Sequence, residues 1–247
     1  VGTYSLNLFV VTIFLVPAVI LFDEPSKAKL TTVLLTLTLI ISNLIFGNLV
    51  LNKHNNTPNS PMNTIVKIIS PKIDLKRFFD GTDPSLVIKD LAEIGNIDSR
   101  DALYIYPEGI LPSINLNEIQ NYSSVFGNYF QNNHKIIVGI TRYKETEIFN
   151  SMALLDNDLK LISVYDKNKL VPFGEYLPFE NFLKNYGFKK ITQGYQSFSP
   201  ANERSLISFN DLRFLPLICY EIIYSGRLNK QKVNFDFILN ISEDGWF

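Results

Sequence analysis

The stretch "SMALLDNDLKLISVYD" (residues 151–166) places two apolar runs on either side of the polar residues 156–158. A short Asp/Asn cluster between two runs of apolar and β-branched residues predicts a β-hairpin. The same pattern recurs in "LISFNDLRFLPLIC" (206–219), around residues 210–211. The two hairpins indicate a domain built around β-sheet.

Further segments on both sides of the hairpins extend this pattern. Short runs rich in β-branched residues predict strands at 64–70, 102–106, 135–140 and 235–242. Two helices are predicted, one from the N-cap pair Asp83-Pro84 to Gly95 and one near 116–131. Strands that alternate with helices, together with two hairpins, predict an α/β sandwich with a mixed sheet.

Two segments near the start of the chain, residues 4–22 and 30–51, contain no charged residue. Each is long enough to cross a hydrocarbon core of about 30 Å as a helix, and their threonines can bond back to the helix backbone. A cleaved signal peptide would explain neither the second segment nor the missing basic n-region. We therefore expect two transmembrane helices.

The short loop between these segments contains Lys27 and Lys29, and the positive-inside rule therefore places the loop in the cytoplasm. Lys53, just after the second segment, favours the opposite orientation. The predicted organisation is two transmembrane helices in residues 1–52, a polar linker in 53–62 and an α/β domain in 63–247 outside the cytoplasm. Because the chain begins inside an apolar segment and ends directly after a strand, we expect a fragment of a longer protein.

Composition narrows the possible chemistry. The net charge of −1 lacks the basic excess of a nucleic-acid-binding protein. A single cysteine excludes a disulfide framework, and the only two histidines, His54 and His134, lie far apart in the sequence. Since no Gly-rich phosphate loop is present either, we expect no metal and no cofactor. Catalysis would then depend on carboxylates, lysines or the lone thiol.

One residue of each of these types lies at the end of a predicted strand: Glu108, Lys167 and Cys219. Ligands of α/β sheets bind at strand ends, so these three side chains can converge. A glutamate can take the thiol proton, a lysine can stabilise a developing oxyanion, and the thiolate can attack a carbonyl carbon. Taken singly, each residue has a structural alternative as a solvated turn glutamate, a surface lysine or a buried thiol.

Four motifs occur in an order and spacing that resemble the nitrilase superfamily, with its Glu-Lys-Cys triad: "YPEG" (106–109), "YDKNKLVPFGEYLPFE" (165–180), "CYEIIY" (219–224) and "NISEDGWF" (240–247). The segments "KLVPFGEYLPFE", "CYE" and "VGTYSLNLFVV", with the two spans, are similar to the apolipoprotein N-acyltransferase family of the bacterial inner membrane. The resemblance implies a nitrilase-like αββα sandwich after two transmembrane helices, incomplete at its C-terminus.

Matched position by position, the resemblance makes Glu108 the general base, Lys167 the oxyanion-stabilising lysine and Cys219 the nucleophile. It also implies supporting or substrate-binding roles for four more residues: Asn150, Glu175, Tyr220 and Glu221. Glu175 has the alternative of a turn or cap residue, and Asn150 that of a hydrogen bond at a strand edge. This chain departs from the family at 243–245, where Glu-Asp-Gly replaces Asn-Asp-Ala, and at 70–72, where Ser-Pro-Lys replaces Gln-Pro-Asn.

The implied reaction moves an acyl chain from a membrane phospholipid, with phosphatidylethanolamine expected, through a cysteine thioester to the amine of a diacylated apolipoprotein. The catalytic domain would lie on the periplasmic side of the inner membrane. Residues 179–198 would form a lid at the lipid interface or an ordinary loop over the core. Three alternatives stay open: a membrane-tethered nitrilase-type amidase, an inactive truncated remnant, and a membrane-anchored binding module.

Overall fold

A computed structural model of the chain describes residues 3–22, 25–55, 64–71, 81, 83–98, 100–111, 114–180, 182, 187, 197–210, 212–224, 228 and 233–243. The chain divides into two units. The first contains residues 1–62 and 223–228, and the second contains residues 63–222 and 229–247.

The first unit is built from two apolar helices, α1 (Thr3–Leu21) and α2 (Ser26–Asn55). The predicted helices at 4–22 and 30–51 are therefore present. Their threonine hydroxyls donate to carbonyl oxygens four residues earlier, as Thr12 does to Leu8 at 2.8 Å. This bond satisfies the hydroxyl inside its own helix, which a helix surrounded by lipid requires.

The apolar side chains of both helices are exposed around the helix rather than along one face. Examples are Phe14, 78% exposed, and Leu44, 67% exposed. Among the described residues, the stretch Ser26–Lys53 is long and apolar enough to cross a membrane, and the shorter apolar stretch Ser5–Leu21 falls below that length. A helix that is apolar all round needs an apolar environment.

The second unit contains a five-stranded sheet in the order β1-β2-β3-β4-β5. Its strands are β1 (Ile65–Ile68), β2 (Ala102–Ile105), β3 (His134–Lys144), β4 (Glu147–Asp156) and β5 (Leu161–Asp166). The pairs β1–β2 and β2–β3 are parallel, whereas β3–β4 and β4–β5 are antiparallel. The hairpin predicted around residues 156–158 is confirmed as β4–β5.

A second sheet of three strands has the order β6-β7-β8. These strands are β6 (Ile207–Phe209), β7 (Leu212–Ile218) and β8 (Phe237–Ile241). The antiparallel β6–β7 pair is the predicted second hairpin, and β8 pairs with β7 in parallel. As predicted, the fold is α/β with parallel and antiparallel pairs mixed in one sheet.

Alternation along β2 explains how the layers stack. Leu103 and Ile105 pack into a core shared with residues of the second sheet, such as Phe214 and Leu239. Because successive strand residues face opposite sides, Tyr104 points into a second core on the other face. That core includes residues of helices α3 (Pro84–Gly95) and α4 (Ser123–Gly127). Within the described part of the chain, the layers follow the α, β, β order of an αββα sandwich.

The helix predicted near 116–131 is wrong in its extent. The chain instead forms a 3-10 turn at Ile119–Tyr122 followed by the five-residue α4. Backbone bonding to β3 prevents an earlier start, because the amide of Leu116 donates to the carbonyl of Thr141 at 2.8 Å. By contrast, the helix predicted from Asp83-Pro84 to Gly95 is confirmed as α3, with the Asp83 side chain capping its N-terminus.

Two other predicted features fall largely outside the described residues. Helix α2 continues through Asn55, and residues 56–63, most of the predicted linker, lie outside. Most of the predicted lid at 179–198 also lies outside.

Gly139 of β3 allows the turn that follows β2 to approach the sheet closely. Its amide donates to the carbonyl of Pro107 at 3.2 Å. A Cβ at this position would lie 2.9 Å from both the Pro107 oxygen and the Gly109 nitrogen, and closer still to the Cα of Glu108. Only a residue without a side chain fits here, so Gly139 determines where Glu108 is placed.

We predict that Gly139→Ala displaces the Glu108 turn and lowers the free energy of unfolding of the second unit by about 1–3 kcal/mol, as overpacking does. Urea unfolding in detergent micelles, followed by near-ultraviolet circular dichroism, measures the loss. Gly127→Ala is the matched control, because a Cβ at Gly127 meets nothing within 4 Å. Equal stability of the two variants would contradict the close approach.

Candidate active site

Glu108 lies on the turn that follows β2. Backbone pairing continues past the end of that strand, since the Tyr106 amide donates to the Ile137 carbonyl at 2.8 Å. Gly109 then adopts a φ of 60° and turns the chain away. The Glu108 side chain is 14% exposed and accepts a hydrogen bond from the Glu243 amide at 3.3 Å. Glu108 is thus held between the ends of β2 and β8.

Lys167 directly follows β5 and is almost completely buried, with 1% of its side chain exposed. Its amide donates to the Asn150 carbonyl at 2.8 Å, and its carbonyl accepts from the Ala201 amide at 2.9 Å. The ammonium nitrogen lies 3.0 Å from Glu175 Oε2 and 3.8 Å from Glu108 Oε1. A buried ammonium is tolerable here because two carboxylates face it.

Asn150, in β4, connects those two carboxylates. Its side-chain amide donates to Glu108 Oε1 at 2.6 Å and to Glu175 Oε1 at 2.8 Å. The other oxygen of Glu175 accepts from the Val171 amide at 2.9 Å. Glu175 therefore closes a turn, as one prediction had it, and also pairs with Lys167. We define these four side chains, Glu108, Asn150, Lys167 and Glu175, as the charged cluster.

Cys219 follows β7 with a backbone φ of 53°, a left-handed conformation that is uncommon for a residue with a side chain. The thiol interacts electrostatically with Glu108 and Lys167 and is hydrogen-bonded to the Ser242 side chain and the Tyr220 amide. The structure thus brings Cys219 to the charged cluster, at the same end of the sheets.

Burial raises the pKa of Glu108, and the neighbouring Glu175 adds to that rise, while Lys167 and Asn150 oppose it. Burial and the Glu108 charge likewise raise the pKa of the Cys219 thiol, against the Ser242 hydrogen bond and Lys167. A carboxylate with a raised pKa is a stronger base, and a thiol with a raised pKa stays protonated until that base acts. The pair is suited to proton transfer from sulfur to carboxylate.

Lys167 shows the opposite balance. Burial disfavours its ammonium form, but the charges of Glu108 and Glu175 outweigh that effect and raise the pKa of Lys167. The ammonium therefore keeps its proton and offers a fixed positive charge beside the thiol. A fixed cation in a dry site stabilises an oxyanion more strongly than water would.

Two of the residues named from the sequence are not members of the charged cluster. The Tyr220 side chain is 51% exposed, and Glu221 is fully buried in another network, where it pairs with Arg204 at 2.8 Å. Sequence reasoning missed Arg204, and it also missed Ser242, whose hydrogen bond reaches Cys219. Ser242 lies in the quoted "NISEDGWF" motif, whereas nothing in the sequence around Arg204 indicates its partner. Among the described residues, no group of three or more His, Cys, Asp or Glu side chains could hold a metal ion.

The class of the domain follows from comparison with known families. Residues 128–247 match the carbon-nitrogen hydrolase family. An amidase of the nitrilase superfamily from Nesterenkonia is similar with a TM-score of 0.48 at 10% identity, over 75% of this chain and 68% of that one.

The particular relatives are apolipoprotein N-acyltransferases. The protein of that name from Rhizobium rhizogenes is 26% identical over 100% of this chain and 48% of its own length. The one from Rhizobium leguminosarum bv. trifolii is 30% identical over 74% of this chain and 36% of its own. The chain spans about half the length of the first of these relatives. The chain is therefore similar to the apolipoprotein N-acyltransferases over its whole length and to the carbon-nitrogen hydrolase family over residues 128–247, and both the resemblance from the sequence motifs and the nitrilase-like fold class are confirmed.

We predict that Glu108→Gln raises the free energy of unfolding of the second unit at pH 8. The raised pKa of Glu108 means that its ionisation costs folding free energy as the pH rises through that pKa, and glutamine avoids this cost. The gain should disappear as the pH falls below the pKa of an unfolded glutamate, about 4.3. Urea unfolding at several pH values measures it.

Glu147→Gln, at an exposed position of β4, is the matched control and should leave stability nearly unchanged at every pH. A loss of stability in Glu108→Gln at pH 8 would show that the Lys167 contact outweighs the cost of burying the carboxylate.

Proposed function

We propose that this protein transfers an acyl chain from a phospholipid to the amine of a lipoprotein, with Cys219 as the nucleophile. The observation that supports this most is the charged cluster, in which a buried lysine lies between two carboxylates, together with a left-handed cysteine whose thiol pKa is influenced by Glu108 and Lys167. The names of its relatives supply the substrate class. The donor, the acceptor and the thioester are part of the proposal.

In the proposed first step, Glu108 takes the thiol proton and the Cys219 sulfur attacks the ester carbonyl of the phospholipid. Lys167 and the Tyr220 amide stabilise the oxyanion of the tetrahedral intermediate. The intermediate collapses, the carbon–oxygen bond breaks, and the departing lysophospholipid oxygen takes the proton from Glu108. A thioester on Cys219 remains.

In the second step, the lipoprotein amine attacks the thioester carbonyl and passes a proton to Glu108. The carbon–sulfur bond breaks, and the Cys219 thiolate regains the proton. The sum is an amide on the acceptor and a free thiol, so Glu108 ends as it began. The raised pKa of Glu108, which burial causes, makes it a stronger base for both steps.

The surface around the site supports a lipid substrate. Three apolar side chains on the segments after Lys167 and Cys219 are well exposed: Phe179 at 84%, Tyr220 at 51% and Phe173 at 45%. Large exposed aromatic side chains on these segments match acyl chains better than a small polar amide. The apolar helices α1 and α2 would hold the catalytic unit at the membrane, where both substrates reside.

A second candidate is a membrane-tethered amidase, which the carbon-nitrogen hydrolase match favours. Water would then replace the amine in the second step. The two functions differ in how a preformed acyl-enzyme is discharged: a diacylated lipopeptide amine accelerates the discharge in the transferase but not in the amidase.

We predict that the purified chain in phospholipid micelles gains the mass of one acyl group on Cys219. Cys219→Ala should show no adduct, and Glu108→Gln should form it at least about 100-fold more slowly, as expected for loss of a general base. Intact mass spectrometry measures the adduct. Glu147→Gln should behave as the unmodified chain, and a folded protein without any adduct would contradict the proposal and favour an inactive remnant.

We further propose that α1 and α2 both span the bacterial inner membrane, with their connecting loop in the cytoplasm and the second unit in the periplasm. In a Cys219→Ala background, Asp158→Cys should react with a membrane-impermeant maleimide in intact spheroplasts. Ser26→Cys should react only after permeabilisation. The reverse pattern would contradict this orientation.

A further inference from the structure

Glu221 connects the two segments that present Lys167 and Cys219. Its Oε1 accepts hydrogen bonds from the amides of Asn168 at 3.1 Å and Lys169 at 2.9 Å, directly after Lys167. Its Oε2 accepts from the amide of Ile218 at 3.0 Å, directly before Cys219. One fully buried carboxylate therefore fixes the backbone directly after Lys167 and directly before Cys219.

Arg204 supplies a positive charge beside this carboxylate. Its Nη2 lies 2.8 Å from Glu221 Oε1, and its Nε donates to the Tyr165 hydroxyl at 3.2 Å. That hydroxyl in turn donates to Glu221, with its oxygen 2.8 and 2.9 Å from the two carboxylate oxygens. The Arg204 side chain is 12% exposed, so the pair is shielded from water. Without the guanidinium, Glu221 would be a buried carboxylate with no cation beside it, which would destabilise this set of backbone hydrogen bonds.

We propose that Arg204 is a positioning residue for the acyl-transfer site. Arg204, Glu221 and Tyr165 form a latch that keeps the segment after Lys167 against the turn that bears Cys219. The role of Arg204 in acyl transfer rests on the proposed function. The latch itself determines only how far the Lys167 ammonium lies from the Cys219 thiol. When the latch opens, Lys167 moves away from Cys219, and the thiolate loses the cation that stabilises it.

The test uses alkylation by iodoacetamide, which reports on the thiolate without any lipid. Cys219 is the only cysteine in the chain, so intact mass follows one site. In the full chain, Arg204→Met should slow alkylation about tenfold at pH 7.5. The midpoint of its pH profile should move upward by about one unit, because one pKa unit corresponds to a tenfold change in the thiolate fraction. Arg204→Lys keeps the charge and should stay within about threefold of the original rate.

Arg100→Met is the matched control, because Arg100 forms an exposed ion pair with Asp98 before β2, at the opposite end of that strand from Glu108. It should leave the pH profile unchanged. Tyr165→Phe removes only the hydroxyl of the latch and should move the midpoint in the same direction as Arg204→Met. A purely structural role would lower the temperature of unfolding but leave the pH profile where it is.

A folded Arg204→Met whose pH profile matches the original would overturn the latch. If that variant does not fold, an unchanged profile in Tyr165→Phe overturns it instead. Failure of the proposed function gives a different result: no phospholipid adduct forms, while the alkylation midpoint still moves in Arg204→Met. An adduct that forms normally with an unmoved midpoint rejects the latch alone.

Discussion

The arrangement of the site depends on the burial of the Lys167 ammonium between Glu175 and Glu108. An isolated ammonium at 1% exposure would lose its proton or destabilise the fold. The two carboxylates prevent this and raise the pKa of Lys167. They would repel each other if Asn150 did not donate to both. The cluster holds together because each charge faces an opposite charge or a hydrogen-bond donor.

Two sheets are needed to assemble this site. Glu108 and Lys167 follow strands of the five-stranded sheet, whereas Cys219 and Ser242 follow strands of the three-stranded sheet. The apolar core between the sheets aligns these strand ends, so the packing of Leu103 against Phe214 and its neighbours has a functional consequence. Gly139 adds a local condition, since only a glycine lets the Glu108 turn lie against β3. The latch adds a second local condition, because Glu221 links the segment after Lys167 to the residue before Cys219.

Helices α1 and α2 differ from the sandwich in where their apolar side chains lie. Their apolar side chains are exposed around the helix surface, and their threonine hydroxyls bond within the helix. The sandwich keeps its apolar residues in two buried cores. One chain thus contains a unit with its apolar residues exposed and a unit with its apolar residues buried, which is compatible with the proposed transfer between membrane-anchored substrates.

The sequence by itself determined both hairpins, helix α3, the two apolar helices and the candidate residues at strand ends, because hydrophobic periodicity and turn chemistry are local. It mispredicted a long helix at 116–131, where pairing with β3 overrides the local preference. The sequence motifs also predicted Glu108, Lys167 and Cys219 as candidates, and these three residues lie at the same end of the two sheets. Only the tertiary structure decided that Asn150 bridges two carboxylates, that Glu221 lies in a separate network, and that Arg204 pairs with it. These contacts join residues far apart in sequence, and their geometry depends on how the two sheets pack.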